Sequence, residues 1–406
     1  MKVLFLTQWF DPEPTFKGLA FAKKLKSEGH DVEVITGFPN YPGGKIYTGY
    51  KQSWLMRENM DGIVINRVPL YPSHDGSGLK RAFNYISFAI TSCLCGMFLT
   101  KKPDVIYAYH PPLTVGLSAV FIGFFRRTPV VYDIQDMWPD TLKATGMFNN
   151  AKALTLISKV CLFVYRRAAA LVVLSPGFKK LLIERNVPEN KIHLIYNWCD
   201  EKALNQVSES QDLCTVMEGY FNIVFAGTMG KAQALNAVLQ AAVIVEAKNK
   251  KIRFVFVGGG IEVDGLKQLA TELDLQNILF LPRMPMTEIG QLLKLADVLL
   301  VHLKKDPLFE ITIPSKTQAY MAVGKPLLMA VPGDAAELVN QSQAGFSIEP
   351  ENATAIADAA LKFAEMPSEQ LQSMGHKALM YYQNKLSLDI GTKKFIQVFN
   401  GVVKKS

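Results

Sequence analysis

The sequence has little to offer a metal ion. Its five cysteines, Cys93, Cys95, Cys161, Cys199 and Cys214, are odd in number and show no ligand spacing. They read as reduced, buried residues of a cytoplasmic protein rather than as a disulfide framework. Nowhere do two aspartates stand one residue apart, so the oxygen ligands that usually fix a divalent cation on a diphosphate are missing. The phosphate-loop pattern G-x-x-x-x-G-K-[ST] is absent, and no G-x-G-x-x-G follows the first apolar run. That argues against NTP hydrolysis and ordinary nicotinamide hydride transfer. The opening MKVLFLTQWF shows neither a basic leader segment nor a small-residue cleavage site, so no secretory signal is expected. Charged residues are scarce too, 20% against 49% hydrophobic, a balance that supplies real cores and excludes disorder.

Acid is the scarcer sign, with 36 acidic against 44 basic residues and a net charge of +8. The pairs Lys80-Arg81, Lys101-Lys102, Arg126-Arg127 and Arg166-Arg167 flank apolar stretches of the first half. No aromatic-basic interleaving accompanies them, so nucleic acid is not an expected partner. An anionic membrane surface suits basic pairs beside apolar helices better. The longest uncharged stretch is AFNYISFAITSCLCGMFL, residues 82–99, about the ~20 residues that span a bilayer. Asn84, Ser87, Thr91, Ser92 and Gly96 weaken that reading, and a strand-like run follows almost at once. A core helix and a helix that dips its outer face into the interface remain open.

What the chain does have is a repeated alternation. In the first half VLFLT, VEVIT, IVINRV, DVIYAY, PVVYDI, ALVVLS and HLIYN, and in the second NIVFAG, RFVFVGG, ILFLP, DVLLVHL, PLLMAV and GFSIEP, are separated by longer helical stretches. Continuous Val/Ile/Leu/Phe runs between helices are the pattern of buried parallel strands in a doubly wound sheet. With 406 residues, two domains are expected. The polar stretch at 198–220 marks their boundary, with ligands expected in a cleft at the strands' carboxyl ends.

Those carboxyl ends carry the chemistry. VFAGTMGKAQALNAV turns through Gly227, Thr228 and Gly230 into Lys231, and FVFVGGGIEVDGLKQLA turns through Gly258, Gly259 and Gly260. IPSKTQ places Pro314, Ser315 and Lys316 at the start of a helix. Bare helix N-termini, glycines that let the backbone approach and a nearby ammonium suit an anion. Three such junctions in one domain point to a diphosphate, held without metal by lysine and backbone amides. For Ser315 the competing reading is a plain N-cap. In the first half, PVVYDIQDMWPD presents Asp133, Gln135 and Asp136, and YAYHPPLTVG presents His110. Carboxylate, amide and imidazole there suit a base or an acceptor ligand. Against this, Asp136 reads as a helix cap and His110 as a packed turn residue.

The stretches SEGHDVEVITGFPNYPGGKIYTGY, YDIQDMWPD, AGTMGKAQAL, LADVLLVHLK and IPSKTQAYMAVGKP together resemble the family 4 glycosyltransferases, which are retaining enzymes of GT-B architecture. GFPNYPGGKIY and DMWPD are similar to the bacterial subgroup building O-antigen and capsule units, such as N-acetyl-L-fucosamine transferases. The resemblance implies two Rossmann-like domains facing a central cleft. Residues 1–200 would bind the acceptor, 201–386 the nucleotide sugar, and a last helix at about 387–406 would cross back. It implies a UDP-sugar donor and an undecaprenyl-diphosphate-linked acceptor. It also implies no metal cofactor and peripheral attachment to the cytoplasmic face of the inner membrane. The donor set it implies comprises Gly18, Gly227, Thr228, Lys231, Gln233, Gly258, Gly259, Arg283, Pro314, Ser315 and Lys316. Asp136, Gln135, His110 and Glu310 form the catalytic set. The chain departs from the family at Ala319, where a ribose-gripping glutamate is usual, and the resemblance leaves Glu310 as its donor-sugar ligand. Thr228 and Gln233 replace the usual Arg and Lys, and Gln135 replaces the usual histidine. Two alternatives share the architecture: a UDP-N-acetylhexosamine 2-epimerase and a non-catalytic sugar-nucleotide scaffold.

Overall fold

The computed structural model describes residues 1–73, 78–144, 150–205 and 211–404. Residues 206–210 of the expected boundary lie outside that range. The chain divides into two compact units, Met1–Tyr196 with Gly391–Ser406, and Asn197–Ile390.

The first unit is built on β1 (Lys2–Thr7), β2 (Asp31–Gly37), β3 (Met56–Met60), β4 (Ile63–Val68), β5 (Val105–Tyr109), β6 (Val130–Ile134), β7 (Ala170–Val173) and β8 (Ile192–Leu194). They pair in the order β3-β4-β2-β1-β5-β6-β7-β8. Every pairing is parallel except β3 with β4. The second unit carries β9 (Phe221–Ala226), β10 (Ile252–Val257), β11 (Ile278–Leu281), β12 (Val298–His302), β13 (Leu327–Ala330) and β14 (Gly345–Ser347). Its order is β11-β10-β9-β12-β13-β14, all parallel. Both units are doubly wound α/β sheets, as the alternation predicts. Central strands such as β5 and β10 are buried from end to end, because helices cover both faces of a parallel sheet. Strand order reverses beside β1 in one sheet and beside β9 in the other, and crevices open at such switch points.

The core of the first unit centres on an aromatic cluster. Phe5, Phe21 and Tyr107 meet at ring-centroid separations of 4.9–6.0 Å. Phe395, from the terminal helix Leu388–Val403, lies 5.2 Å from Phe21 and 5.3 Å from Tyr107. Helix α1 (Leu19–Ser27) follows β1, α2 (Gly78–Phe98) precedes β5, and α3 (Leu113–Arg126) follows it. α2 buries Asn84, Phe88, Ser92, Cys95 and Gly96. It packs closely on α3, where Ser92 and Ser118 hydroxyls bond at 2.9 Å and a Cβ on Gly96 would press on Ile122. No described helix is long and apolar enough to cross a membrane, so a spanning role for 82–99 is excluded. Its polar residues explain why, since Asn84 accepts from Gln8 Nε2 at 2.5 Å and donates to the Tyr71 carbonyl at 2.7 Å.

Candidate functional site

In the second unit, the ends of β9 and β10 turn at Gly227 and Gly258, with φ of +140° and +138°. The two turns are locked backbone to backbone. Gly227 N–H donates to the Val257 carbonyl and Met229 N–H to that of Gly259, both at 2.8 Å, while Glu262 N–H reaches the Met229 carbonyl at 3.1 Å. A Cβ on Gly258 would run into the Gly227 carbonyl, so the approach requires glycine.

The helix Lys316–Val323 delivers a charge onto this turn. Its Tyr320 hydroxyl accepts from Ala226 N–H at 2.8 Å and donates to the Ala226 carbonyl at 3.2 Å, pinning the helix to the end of β9. Lys316 sits one turn earlier on the same helix face. Its ammonium lies 3.4 Å from the centroid of the Phe225 ring, and a Cβ on Gly227 would stand 3.3 Å from Nζ. Although the stem is partly exposed, Nζ is buried without a hydrogen-bond partner. Burial lowers its pKa from the ordinary 10.5 to about 7. An ammonium that has given up water and gained only a ring face is costly to charge. An anion at the Gly227 turn would restore what it lacks.

Of the rest of the expected donor set, some residues stand on these turns and others do not. Ser315 forms no side-chain cap bond, which removes the plain N-cap reading. Gln318, with its amide nitrogen turned toward them, donates to the carbonyls of Pro314 at 3.1 Å and Ser315 at 2.9 Å. Thr228 and Lys231 are exposed on the turn after β9, and Gly259 is half-buried. Gln233 is spent locally, because its Oε1 accepts from Gly230 N–H at 3.0 Å. Arg283 stands exposed two residues beyond β11 and makes no bond to the glycine turns. Glu310 is exposed, and its carbonyl lies where a Cβ on Gly333 (φ +72°) would be. This places Glu310 beside the loop after β13. Gly18 belongs to the first unit, where it precedes α1. The Asp11 carboxylate accepts from Leu19 N–H at 2.6 Å and fills the space a Cβ on Gly18 would need. A carboxylate already holds that helix start, so a phosphate there would meet like charge.

Sequence reasoning missed His302, at the end of β12. Its Nδ1 lies 2.7 Å from the Gln233 carbonyl and its Nε2 accepts from Glu351 N–H at 3.1 Å. An acceptor on one side and a donor on the other fix the neutral tautomer with the proton on Nδ1. Burial lowers its pKa. His302 thereby props the glycine turn from behind.

In the first unit, Asp133 stands near the end of β6 and is itself fully buried. It meets Lys17 Nζ at 2.5 Å, the Tyr107 hydroxyl at 2.6 Å and Gln135 Nε2 at 2.6 Å. Burial lowers the Lys17 pKa and Asp133 opposes that shift. Gln135 is thus tied back by its amide. Glu13 accepts from the N–H groups of Phe10, Asn40 and Tyr41 at 3.3, 2.7 and 2.8 Å, anchoring the FPNYPGG loop. Burial, against the pull of those bonds, raises its pKa to about 7.

Asp136 and His110 come together, for Asp136 N–H donates to His110 Nδ1 at 3.3 Å. The imidazole is fully buried and its pKa falls to about 3. It is therefore neutral with its proton on Nε2, a donor rather than a general base. The next helix begins only at Asp140, so the Asp136 side chain is not a cap. Burial raises its pKa to about 6. Among the described residues, no three or more His, Cys, Asp or Glu side chains are grouped to hold a metal ion.

Residues 19–198 match the family described as Glycosyl transferase 4-like domain, and residues 215–379 match Glycosyl transferases group 1. The chain is 25% identical over 336 residues to the putative colanic acid biosynthesis glycosyl transferase WcaI of Escherichia coli K12, covering 80% of the chain and 82% of that protein. It is 27% identical over 312 residues to the probable glycosyltransferase WbjE of Pseudomonas aeruginosa, covering 75% and 76%. The crystal structure of Anabaena HepE in complex with UDP superposes at a TM-score of 0.70 with 16% identity, covering 99% of the chain and 100% of HepE. At that identity the likeness is one of fold.

Proposed function

The chain is a family 4 glycosyltransferase of GT-B architecture, and we propose that it moves a sugar from a UDP-sugar to a saccharide on an undecaprenyl diphosphate. The sugar is an N-acetylated amino sugar such as N-acetyl-L-fucosamine. The observation that carries the donor half is the buried, unpartnered Lys316 ammonium over the Gly227 turn. A diphosphate there gains a charge-assisted bond and the turn N–H groups that the fold has not already used, those of Thr228 and Gly259. The HepE complex, named for its UDP, supports this choice of nucleotide. Lys231 and Thr228 stand on the same turn and would meet the phosphates from the solvent side.

The reaction forms a glycosidic bond from the acceptor oxygen to the anomeric carbon and breaks that carbon's bond to the diphosphate. The acceptor proton passes to the departing diphosphate oxygen, so no strong protein base is needed. That agrees with a neutral His110 and an amide at position 135. Lys316 stabilises the charge that grows on the leaving group, and Asp136 orients the acceptor hydroxyl. No step requires a divalent metal in this reading.

The acceptor's lipid asks for a membrane-facing surface. On α2, Leu79, Phe83, Ile86 and Ile90 form one exposed stripe. On α3, Phe121, Phe124 and Phe125 are exposed, and Phe98 meets Phe125 at 5.3 Å to join the two faces. Arg127, Lys101 and Lys102 lie exposed at the rim, each worth ~1 kcal/mol toward anionic lipid. Arg126 does not belong with them, since it donates to the carbonyls of Met97 at 2.7 Å and Thr100 at 3.0 Å. This supports peripheral attachment to the cytoplasmic face of the inner membrane, with a role in O-antigen, capsule or related polysaccharide assembly. The name of the Escherichia coli relative, colanic acid biosynthesis, is of the same kind. Sedimentation with anionic liposomes tests the attachment. Binding should fall with salt and in Phe124→Ser/Arg127→Gln. A protein that stays in the supernatant at low salt would remove the membrane from the proposal.

A further inference from the structure

Around Asp136 lie more polar groups than the reaction as described uses. Helix α2 turns Tyr85 away from its exposed apolar stripe and toward Trp138, with ring centroids 6.4 Å apart. Trp138 in turn stands edge-on to His110 at 5.6 Å and 85°. Burial raises the Tyr85 pKa, the Arg81 guanidinium opposes that shift, and Tyr41 and Asp136 are near enough to add to it. Within the described residues the Tyr85 hydroxyl, the Asp136 carboxylate and the Trp138 indole N–H form no hydrogen bond. His110 uses only Nδ1, as an acceptor. Two donors, an acceptor carboxylate and a hydroxyl that does both are thus carried by four neighbouring residues, two of them aromatic.

That combination suits a pyranose: hydroxyls that need donors and acceptors, and apolar C–H faces that rest on aromatic rings. We propose that Tyr85 and Trp138, with Asp136 and His110, form the subsite for the acceptor's sugar, and that Tyr85 selects it. The inference rests on the transferase reading above and deepens it. α2 also explains why such an acceptor comes on a lipid. Leu79, Phe83, Ile86 and Ile90 leave one side of the helix for an apolar phase, while Tyr85 leaves another for the sugar. One helix therefore addresses both ends of a glycolipid headgroup.

The test uses the full chain and N-acetylglucosamine linked through a diphosphate to a farnesyl chain. Tyr85→Phe keeps the ring and loses the hydroxyl, so the acceptor KM should rise about fivefold, the worth of one neutral hydrogen bond. Tyr85→Leu should raise it further, while the Kd for UDP stays at the wild-type value in both. A structural defect would weaken UDP binding in parallel. Acceptor KM within twofold of wild type in both variants, or parallel loss of UDP affinity, overturns the assignment. Should the wild-type protein transfer no sugar, the tryptophan fluorescence of Trp138 decides. Quenching by the probe that is lost in Tyr85→Leu and Trp138→Phe keeps the subsite and removes the transfer reading. No quenching in the wild type removes the subsite.

Discussion

Replacing Lys316 by methionine keeps most of the stem and removes the charge, and the geometry makes the consequences calculable. In the empty protein the ammonium has a pKa of about 7, so at pH 8 about nine molecules in ten hold it neutral. A diphosphate beside it pulls the pKa back toward the ordinary lysine range. The diphosphate of a UDP-sugar exchanges no proton near neutrality, so the proton taken up on binding belongs to Lys316. Uptake should be about 0.9 per site at pH 8, about 0.5 at pH 7 and about 0.1 at pH 6. Calorimetric titrations in two buffers of different ionisation enthalpy read this number directly. Affinity follows the same arithmetic, flat below pH 7 and about tenfold weaker for each unit above it. Lys316→Met should lose ~1.5–3 kcal/mol at pH 6, roughly 10- to 150-fold in Kd, and should show neither proton uptake nor that pH dependence. Stability moves the other way. Because the folded pKa lies below the unfolded value of 10.5, the ammonium destabilises the empty fold as pH falls from 10.5 to 7, and fully below 7. Lys316→Met should therefore raise the Tm of the empty protein at pH 6 and leave it unchanged at pH 11. Equal proton uptake in the two proteins, or equal affinity at pH 6, would refute the assignment of the diphosphate to Lys316.

In the proposed acceptor role Asp136 must be ionised, and burial raises its pKa to about 6, so kcat/KM for the acceptor should fall about tenfold per unit below pH 6. In Asp136→Asn that acid limb should vanish along with most turnover, while the Kd for UDP holds; wild-type turnover would deny it an acceptor role. Gly258→Ala adds a Cβ that collides with the Gly227 carbonyl at φ +138°, and should cost ~2 kcal/mol or more in chemical denaturation. A variant as stable as wild type would mean the two turns are not locked as described. Exhaustive EDTA treatment should leave the initial rate of transfer unchanged, and activity restored only by added magnesium or manganese would contradict a metal-free site.

Most of the fold was legible because parallel strands buried on both faces must be apolar throughout, and thirteen such runs became β1, β2 and β4–β14. β3, MRENM, escaped because an antiparallel edge strand needs only one apolar side. The glycine turns and the lysine that meets them were legible because Gly227, Gly258 and Lys316 announce themselves locally in sequence. What was not legible depends on long-range pairing. Lys17 reads as a surface lysine until Asp133, 116 residues on, meets it in the core. Glu13, three residues after Phe10 in a proline-rich loop, gives no sign that it holds Asn40 and Tyr41. Tyr85 belongs to an apolar helix by composition and comes beside Trp138 only through the chain that follows β6. Gly18 misled because a glycine before a helix looks the same whether its N-terminus waits for a phosphate or, as here, is held by Asp11.

Transfer itself is the measurement that matters most. Radiolabelled UDP-sugars, amino sugars among them, should be offered one at a time with an undecaprenyl-diphosphate-linked saccharide, and the lipid product resolved for mass and anomeric configuration. One UDP-sugar should extend the lipid by a single residue with its anomeric configuration retained, with UDP released in equal amount and with Lys316→Met failing at low donor concentration. Inversion at the anomeric carbon, conversion of the UDP-sugar to an epimer without acceptor, or transfer that Lys316→Met performs with the wild-type donor KM would contradict this.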